Sequence, residues 1–178
     1  MLGNRSDAWG LPMRIMHSIG MVLVLILIVH GWWMTEFAPR EIRFNQYAWH
    51  ASFGYALLLL TALRVTWRGL YNSPQPPVES LKWERNLAAL GHIALYIFML
   101  CCAILGWALA GTFSQPLDAK LLGFIPVPMI MSGNELHGLL EENHGLFAWA
   151  LAGLVVLHLI ATAYHQFYKK DKLLQRMF

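Results

Sequence analysis

Charge is scarce in this chain. Only 13% of its 178 residues are Asp, Glu, Lys or Arg, about half of the ~25% common in soluble domains. Cysteine is nearly missing too. Cys101 and Cys102 are adjacent in an apolar run, and neighbours cannot staple a fold, so a disulfide scaffold is excluded. They read as small buried hydrophobes. There is no Cys-x-x-Cys-His run, no internal repeat and no low-complexity tract. Nothing suggests the exposed basic groove that nucleic-acid binding needs. No small-residue cleavage site follows the first apolar stretch, so it reads as a retained span, not a signal peptide.

What is abundant is apolar surface. Hydrophobic residues make up 57% of the chain, and mean hydropathy is +0.47. Four long apolar runs occupy about residues 14–34, 46–67, 87–111 and 144–168. Each reaches the roughly 20 residues that a membrane-crossing helix requires. Backbone groups inside lipid must pair within their own segment, so helices are the expected form. The expectation is an all-α integral membrane four-helix bundle forming one domain over 1–178. Tyr71–Pro77 is proline-rich and separates the second and third spans. The longest connection, 112–143, contains Pro116, Pro126 and Pro128. Its last part, Glu135–Asn143, suggests a short helix leading into the fourth span.

Orientation follows from the cations. Ten of the thirteen fall on one side: Arg5, Arg14, Arg64, Arg68, Lys82, Arg85, Lys169, Lys170, Lys172 and Arg176. Arg40, Arg43 and Lys120 fall on the other. The positive-inside rule then makes both termini cytoplasmic.

Against this apolar ground, histidines stand out. His17, His50, His144 and His158 lie in the spans at two matched depths. His144 and His158 are 14 residues apart in one run. That spacing brings the second side chain to within roughly 40° of the first and about 21 Å along the axis. One helix would thus present two imidazoles near opposite sides of a hydrocarbon core about 30 Å thick. Depth pairs His17 with His158 on the inner side and His50 with His144 on the outer side. Two neutral imidazoles from two helices are what a six-coordinate haem iron takes. With no Cys-x-x-Cys-His run, two haems of b type would be held non-covalently. A zinc site is the chemical rival, and it lacks a Cys/His/carboxylate cluster at one depth. A buried histidine is often merely structural, but ionisable groups inside a membrane are expensive and usually functional.

Other residues carry weaker readings. Gly20, Gly31 and Gly54 offer gaps beside the ligand faces, although glycine is also common at ordinary membrane helix contacts. Arg64 lies 14 residues after His50, at the inner haem's depth. It suits a haem propionate, or it snorkels as a basic anchor. His92 and His165 fall beside the proposed inner haem. They could meet propionates, a quinone head group, or simply the interface. His30, 13 residues after His17, points roughly 140° from that ligand's face and reads as an outer-side polar residue. His137 reads as a solvated loop histidine, with a metal pairing to Glu141 as the less favoured alternative.

Taken in order, these segments resemble a known family. Met16-His17-Ser18 opens the first span, and His50-Ala51-Ser52-Phe53-Gly54 opens the second. Leu63-Arg64-Val65-Thr66-Trp67-Arg68 closes it, and Gly91-His92-Ile93-Ala94-Leu95-Tyr96 lies in the third. The His144/His158 spacing and the tail from Tyr164 to Met177 complete the set. Each motif alone is loose; the ordered set is similar to bacterial di-haem cytochromes b561 of the small four-helix type, which include superoxide:ubiquinone oxidoreductases. The resemblance implies haem b ligation by His17, His50, His144 and His158. It also implies ubiquinone or another quinone as partner, and a bacterial inner membrane. The leading expectation is electron transfer between an outer-side donor, superoxide being one such donor, and the quinone pool. The alternative is a non-enzymatic haem b anchor subunit serving a periplasmic redox partner. A transporter or purely structural membrane protein would not explain the matched histidines. The loop 112–143 would cover the outer haem edge and meet the donor.

Overall fold

The computed structural model describes residues 8–76, 80–115, 117–171 and 173–177. Arg5, Pro77, Pro116 and Lys172, used above, lie outside them. Four long helices follow in order: α1 (Leu11–Glu36), α2 (Arg40–Leu70), α3 (Lys82–Ala110) and α4 (His137–Ala163). Helix α4 continues as a π-helical turn over Tyr164–Lys169 and ends at Lys170, in left-handed conformation. A 3-10 turn, Leu174–Arg176, closes the chain. The architecture is a membrane helical bundle.

Local chemistry sets the boundaries. Pro12 opens α1, where its missing N–H is not needed. Pro39 stands just before α2 and keeps the α1–α2 link to three residues. Arg43 reaches back from α2 and donates from Nε and Nη2 to the Ala38 carbonyl at 3.2 and 2.8 Å. Glu84 accepts from the Leu81 backbone N–H at 2.9 Å, satisfying one of the free donors at the start of α3. Gly111 ends α3 because nothing larger fits there. A Cβ at this position would lie 2.0 Å from the Met131 carbonyl oxygen.

The helices outrun the apolar runs. Helix α2 begins at Arg40 rather than near residue 46, because a helix need not stop where lipid does. The fourth helix starts at His137. The expected short leading helix over Glu135–Asn143 is therefore the first turns of α4 itself, and His137 is not a loop residue. Its Nδ1 lies 3.0 Å from Thr112 Oγ1, and its ring packs edge-on against Phe113. These partners replace the solvent expected around it.

Among the described residues, three helices, α1, α3 and α4 with its extension, are long and apolar enough to cross a membrane. Helix α2 is the most polar of the four: its first turns carry Arg40, Glu41, Arg43, Asn45 and Gln46, and further on it buries or half-buries His50, Ser52, Tyr55, Thr61 and Arg64. Close packing follows chain order: α1 on α2, α2 on α3, α3 on α4. Val24, Leu27 and Leu57 form a buried layer, flanked by Met99 and Val155, so all four helices meet at mid-bundle.

Both ends of the described chain lie at one end of the bundle. Trp9 N–H donates to the Arg176 carbonyl at 3.1 Å, and Arg68 stacks over the Trp9 ring. Lys169 donates to both Glu84 oxygens at 2.6 and 2.7 Å, tying the end of α4 to the start of α3. Arg176 Nη2 also donates to the Gln75 carbonyl.

The 112–136 connection adds something that the all-α expectation lacked. Lys120–Leu121 (β1) and Ile125–Pro126 (β2) pair as a two-stranded antiparallel hairpin. Three residues, Leu122, Gly123 and Phe124, join the strands, and Leu122 and Gly123 turn the chain with positive φ of 55° and 83°. The connection folds down on the bundle. Leu117 and Ala119 are buried with Tyr55 and Ala110, and Trp107 Nε1 donates to the Pro128 carbonyl at 2.8 Å.

Candidate haem-binding sites

The histidines separate into two clusters, one on each side of the Val24–Leu27–Leu57 layer. At the loop-covered end, the His50 and His144 ring centroids are 6.1 Å apart and their planes stand at 89°. His144 Nδ1 donates to the Cys102 carbonyl at 3.0 Å. This bond fixes the proton on Nδ1 and leaves the Nε2 lone pair for a metal. His50 Nδ1 is buried and has no hydrogen-bond partner among the described residues. Two metal–imidazole bonds of about 2 Å, plus about 1 Å from each ring centre to its nitrogen, span about 6 Å. The observed separation suits one iron between the two rings.

Glycines make this closeness possible. A Cβ on Gly106 would come within 3.0 Å of His144 Cε1, and one on Gly31 within 3.2 Å of His50 Cε1. Gly31 was visible as a gap in the sequence. Gly106 was missed, although it lies four residues after Cys102, on the same face of α3. The Cys102 thiol lies 3.7 Å from His144 Nδ1. It packs against the ring, so the small buried reading of this cysteine gains a specific neighbour.

His30 departs from its expected direction. Its ring is 5.8 Å from His50, and its Nε2 is 3.0 Å from Gln46 Oε1. His30 is directed toward α2, the helix on which α1 packs. A 140° difference in facing therefore does not turn His30 out of the bundle. It stands behind His50, bonded to Gln46.

At the other end, His17 lies within electrostatic reach of Arg64, His158 and His92. His158 and His92 rings are 5.5 Å apart. His92 Nδ1 donates to the Ala88 carbonyl at 2.7 Å. Arg64 Cζ sits 5.4 Å from the Tyr96 ring centroid, in cation–π range. Arg64 Nε, Tyr96 Oη, Trp67 Nε1 and Gln166 Oε1 are buried without hydrogen-bond partners among the described residues. Sequence reading missed Tyr96, Trp67 and Gln166 as site residues. The signal for Tyr96 was its place four residues after His92. A buried guanidinium with an unused donor fits an anionic group such as a propionate.

His165, expected beside the inner pair, is held differently. Its Nδ1 is 2.5 Å from Asp171 Oδ2, just beyond the π-helical turn. The structure therefore brings His92 to His158, and places His165 in a carboxylate-paired group near Glu84 and Lys169. Gly20 packs against Leu60, and Gly54 faces open space, so neither adjoins a histidine.

The family model for prokaryotic cytochrome b561 matches residues 8–178. The chain belongs to the prokaryotic cytochrome b561 family. It is 25% identical to cytochrome b561 homolog 2 of Escherichia coli K12 over 98% of this chain and 93% of that one. Cytochrome b561 homolog 1 of the same organism is 27% identical over 91% and 92%. A protein named probable superoxide oxidase CybB, from Yersinia pestis, is 27% identical over 87% and 89%. As a cytochrome b561, the chain is a haem b-binding electron-transfer protein of a bacterial membrane.

Proposed function

We propose that this cytochrome b561 binds two haems b, the inner one between His17 and His158 and the outer one between His50 and His144. It acts as a single membrane domain of the inner membrane, with four spans and cytoplasmic termini. It carries electrons from an outer-side donor to ubiquinone or another quinone. The observation that carries this reading is the division of the histidines into two groups by the Val24–Leu27–Leu57 layer. The eight-to-three bias of the described cations toward the end where both ends of the described chain lie supports the orientation.

Haem bound in these places supplies one-electron redox chemistry. The residues do the rest. The Cys102 carbonyl holds the His144 proton on Nδ1 and orients the ring. Arg64 places positive charge where propionates would lie, and Tyr96 steadies that charge through its ring. The apolar layer keeps water from mid-bundle. Quinone reduction takes up two protons as well as two electrons. His92, and His165 with Asp171, are the groups near the inner cluster that hold and move protons there.

Superoxide is the donor suggested by the name of the Yersinia relative. Of the cations on the outer side, Lys120 is paired with Asp118 and Arg43 with the Ala38 carbonyl. Pyridine haemochrome assay and redox titration of the purified protein test the cofactor reading: about two haems per chain in two resolvable transitions are expected, and one haem overturns the pairing. Quinone reduction driven by superoxide, measured on the protein alone, separates a self-sufficient oxidoreductase from a haem anchor subunit that needs a partner.

A further inference from the structure

The hairpin of the outer connection ends in a tip that faces the wrong way for a water-facing loop. Its turn residue Leu122 is 56% exposed and the following Phe124 is 69% exposed. The turn rests on α2: a Cβ on Gly123 would lie 3.9 Å from Trp49 Cη2 and Cζ3. Trp49 is itself 47% exposed and stacks along α2 with Phe53. Its ring therefore stands on the outside of the bundle, next in sequence to His50.

The depth of that ring can be placed. His144 and His158 are separated by about 21 Å along α4. Centred in a hydrocarbon core of about 30 Å, the outer histidine level falls about 4 to 5 Å inside the core boundary. His50 is at the level of His144, so Trp49 lies at the membrane–water boundary, where tryptophan is favoured. A segment resting on its outer edge shares the same surroundings. The polarity of the hairpin changes in the matching direction. Lys120 and Asp118 pair at its base, and the apolar side chains gather at its turn.

We propose that the Leu122–Ile125 tip inserts into the outer-leaflet interface of the lipid bilayer beside Trp49, anchoring the connection that packs on α2 and α3 at this end of the bundle. Phospholipid is the occupant because the contact is lateral, on the lipid-facing side of α2. A docking donor protein would approach from the water above.

The test uses the haem-loaded full chain in phosphatidylcholine nanodiscs. A nitroxide is attached at Phe124→Cys or Ile125→Cys, with exposed Ser132→Cys of the same connection as the water-facing reference. The wild-type chain, labelled in parallel, gives the background from Cys101 and Cys102. Collision rates with oxygen and with a water-soluble nickel chelate are compared. The expected result is an oxygen-to-nickel ratio several-fold higher at 124 and 125 than at 132. Ratios equal to that at 132 would show a tip in water and overturn the proposal. Low collision with both reagents would show burial against protein and overturn it equally. The haem absorbance of each variant reports that the bundle has folded.

Discussion

The two histidine clusters share the imidazole side chain and little else. The outer one is made by close approach. Gly31 and Gly106 let helix backbones come against the His50 and His144 rings, the Cys102 carbonyl fixes one tautomer, and the loop 112–136 folds down beside it. The inner one is made by polarity. His17, His92 and His158 gather with Arg64, and buried polar atoms of Trp67, Tyr96 and Gln166 stand without partners among the described residues. Beyond it lie the Glu84–Lys169 and His165–Asp171 pairs and a π-helical turn, a feature often found at functional sites. A centre that only passes electrons needs a fixed, dry setting. A centre that also delivers protons to a substrate needs titratable groups within reach. The difference between the clusters fits that division of labour.

The comparison can be broken most directly at the ligands. His144→Ala should remove the outer haem and leave the inner one, and His158→Ala the reverse, each reducing haem from about two to about one per chain by pyridine haemochrome. If both substitutions abolish the same redox transition, the two sites are not independent.

Packing should matter at the outer cluster. Gly106→Ala places a Cβ 3.0 Å from His144 Cε1. Overpacking of this kind costs about 1–3 kcal/mol, so retention of the outer haem should fall about tenfold or more while the inner haem is kept. The electron paramagnetic resonance signal of the outer centre, sensitive to the 89° angle between rings, should shift as well. An unchanged signal and full haem content would show that the glycine is incidental.

Charge should matter at the inner cluster. Arg64→Gln removes a cation that favours the reduced state. A unit charge about 10 Å away at an effective dielectric of about 20 is worth about 1.7 kcal/mol, or about 70 mV. The inner midpoint should fall by up to that amount with the outer one unmoved. Equal shifts of both midpoints would contradict the assignment of Arg64 to one site.

Smaller effects separate proton handling from cofactor binding. Asp171→Asn and His165→Gln should each slow quinone reduction a few-fold and leave both haem spectra intact. Unchanged turnover in both would move the quinone site away from this pair. His30→Ala should have the least effect. It removes the His30–Gln46 bond behind His50 yet should keep both haems; loss of the outer haem would make His30 a ligand rather than a neighbour.

The sequence by itself determined the bundle and the histidine frame. Apolar runs of spanning length leave the backbone no choice but helix, and a 14-residue spacing on a helix fixes both facing and depth. That geometry is local to one segment, so it is readable from one segment. What the tertiary structure decided concerns neighbours. Helical periodicity says how two side chains of α1 differ in direction, but not which groups of the neighbouring helices each one meets. His30 therefore stands beside His50 despite pointing away from His17. The same holds for Gly106 against His144, Tyr96 beneath Arg64, His137 bonded to Thr112, and Asp171 closing on His165. Each is a contact between segments, except the last, which depends on the π-helical turn and the left-handed Lys170 that follows it. The hairpin at Lys120–Pro126 was hidden for a related reason. Two residues per strand are too few to show an alternating pattern, and only packing on α2 makes so short a pairing stable.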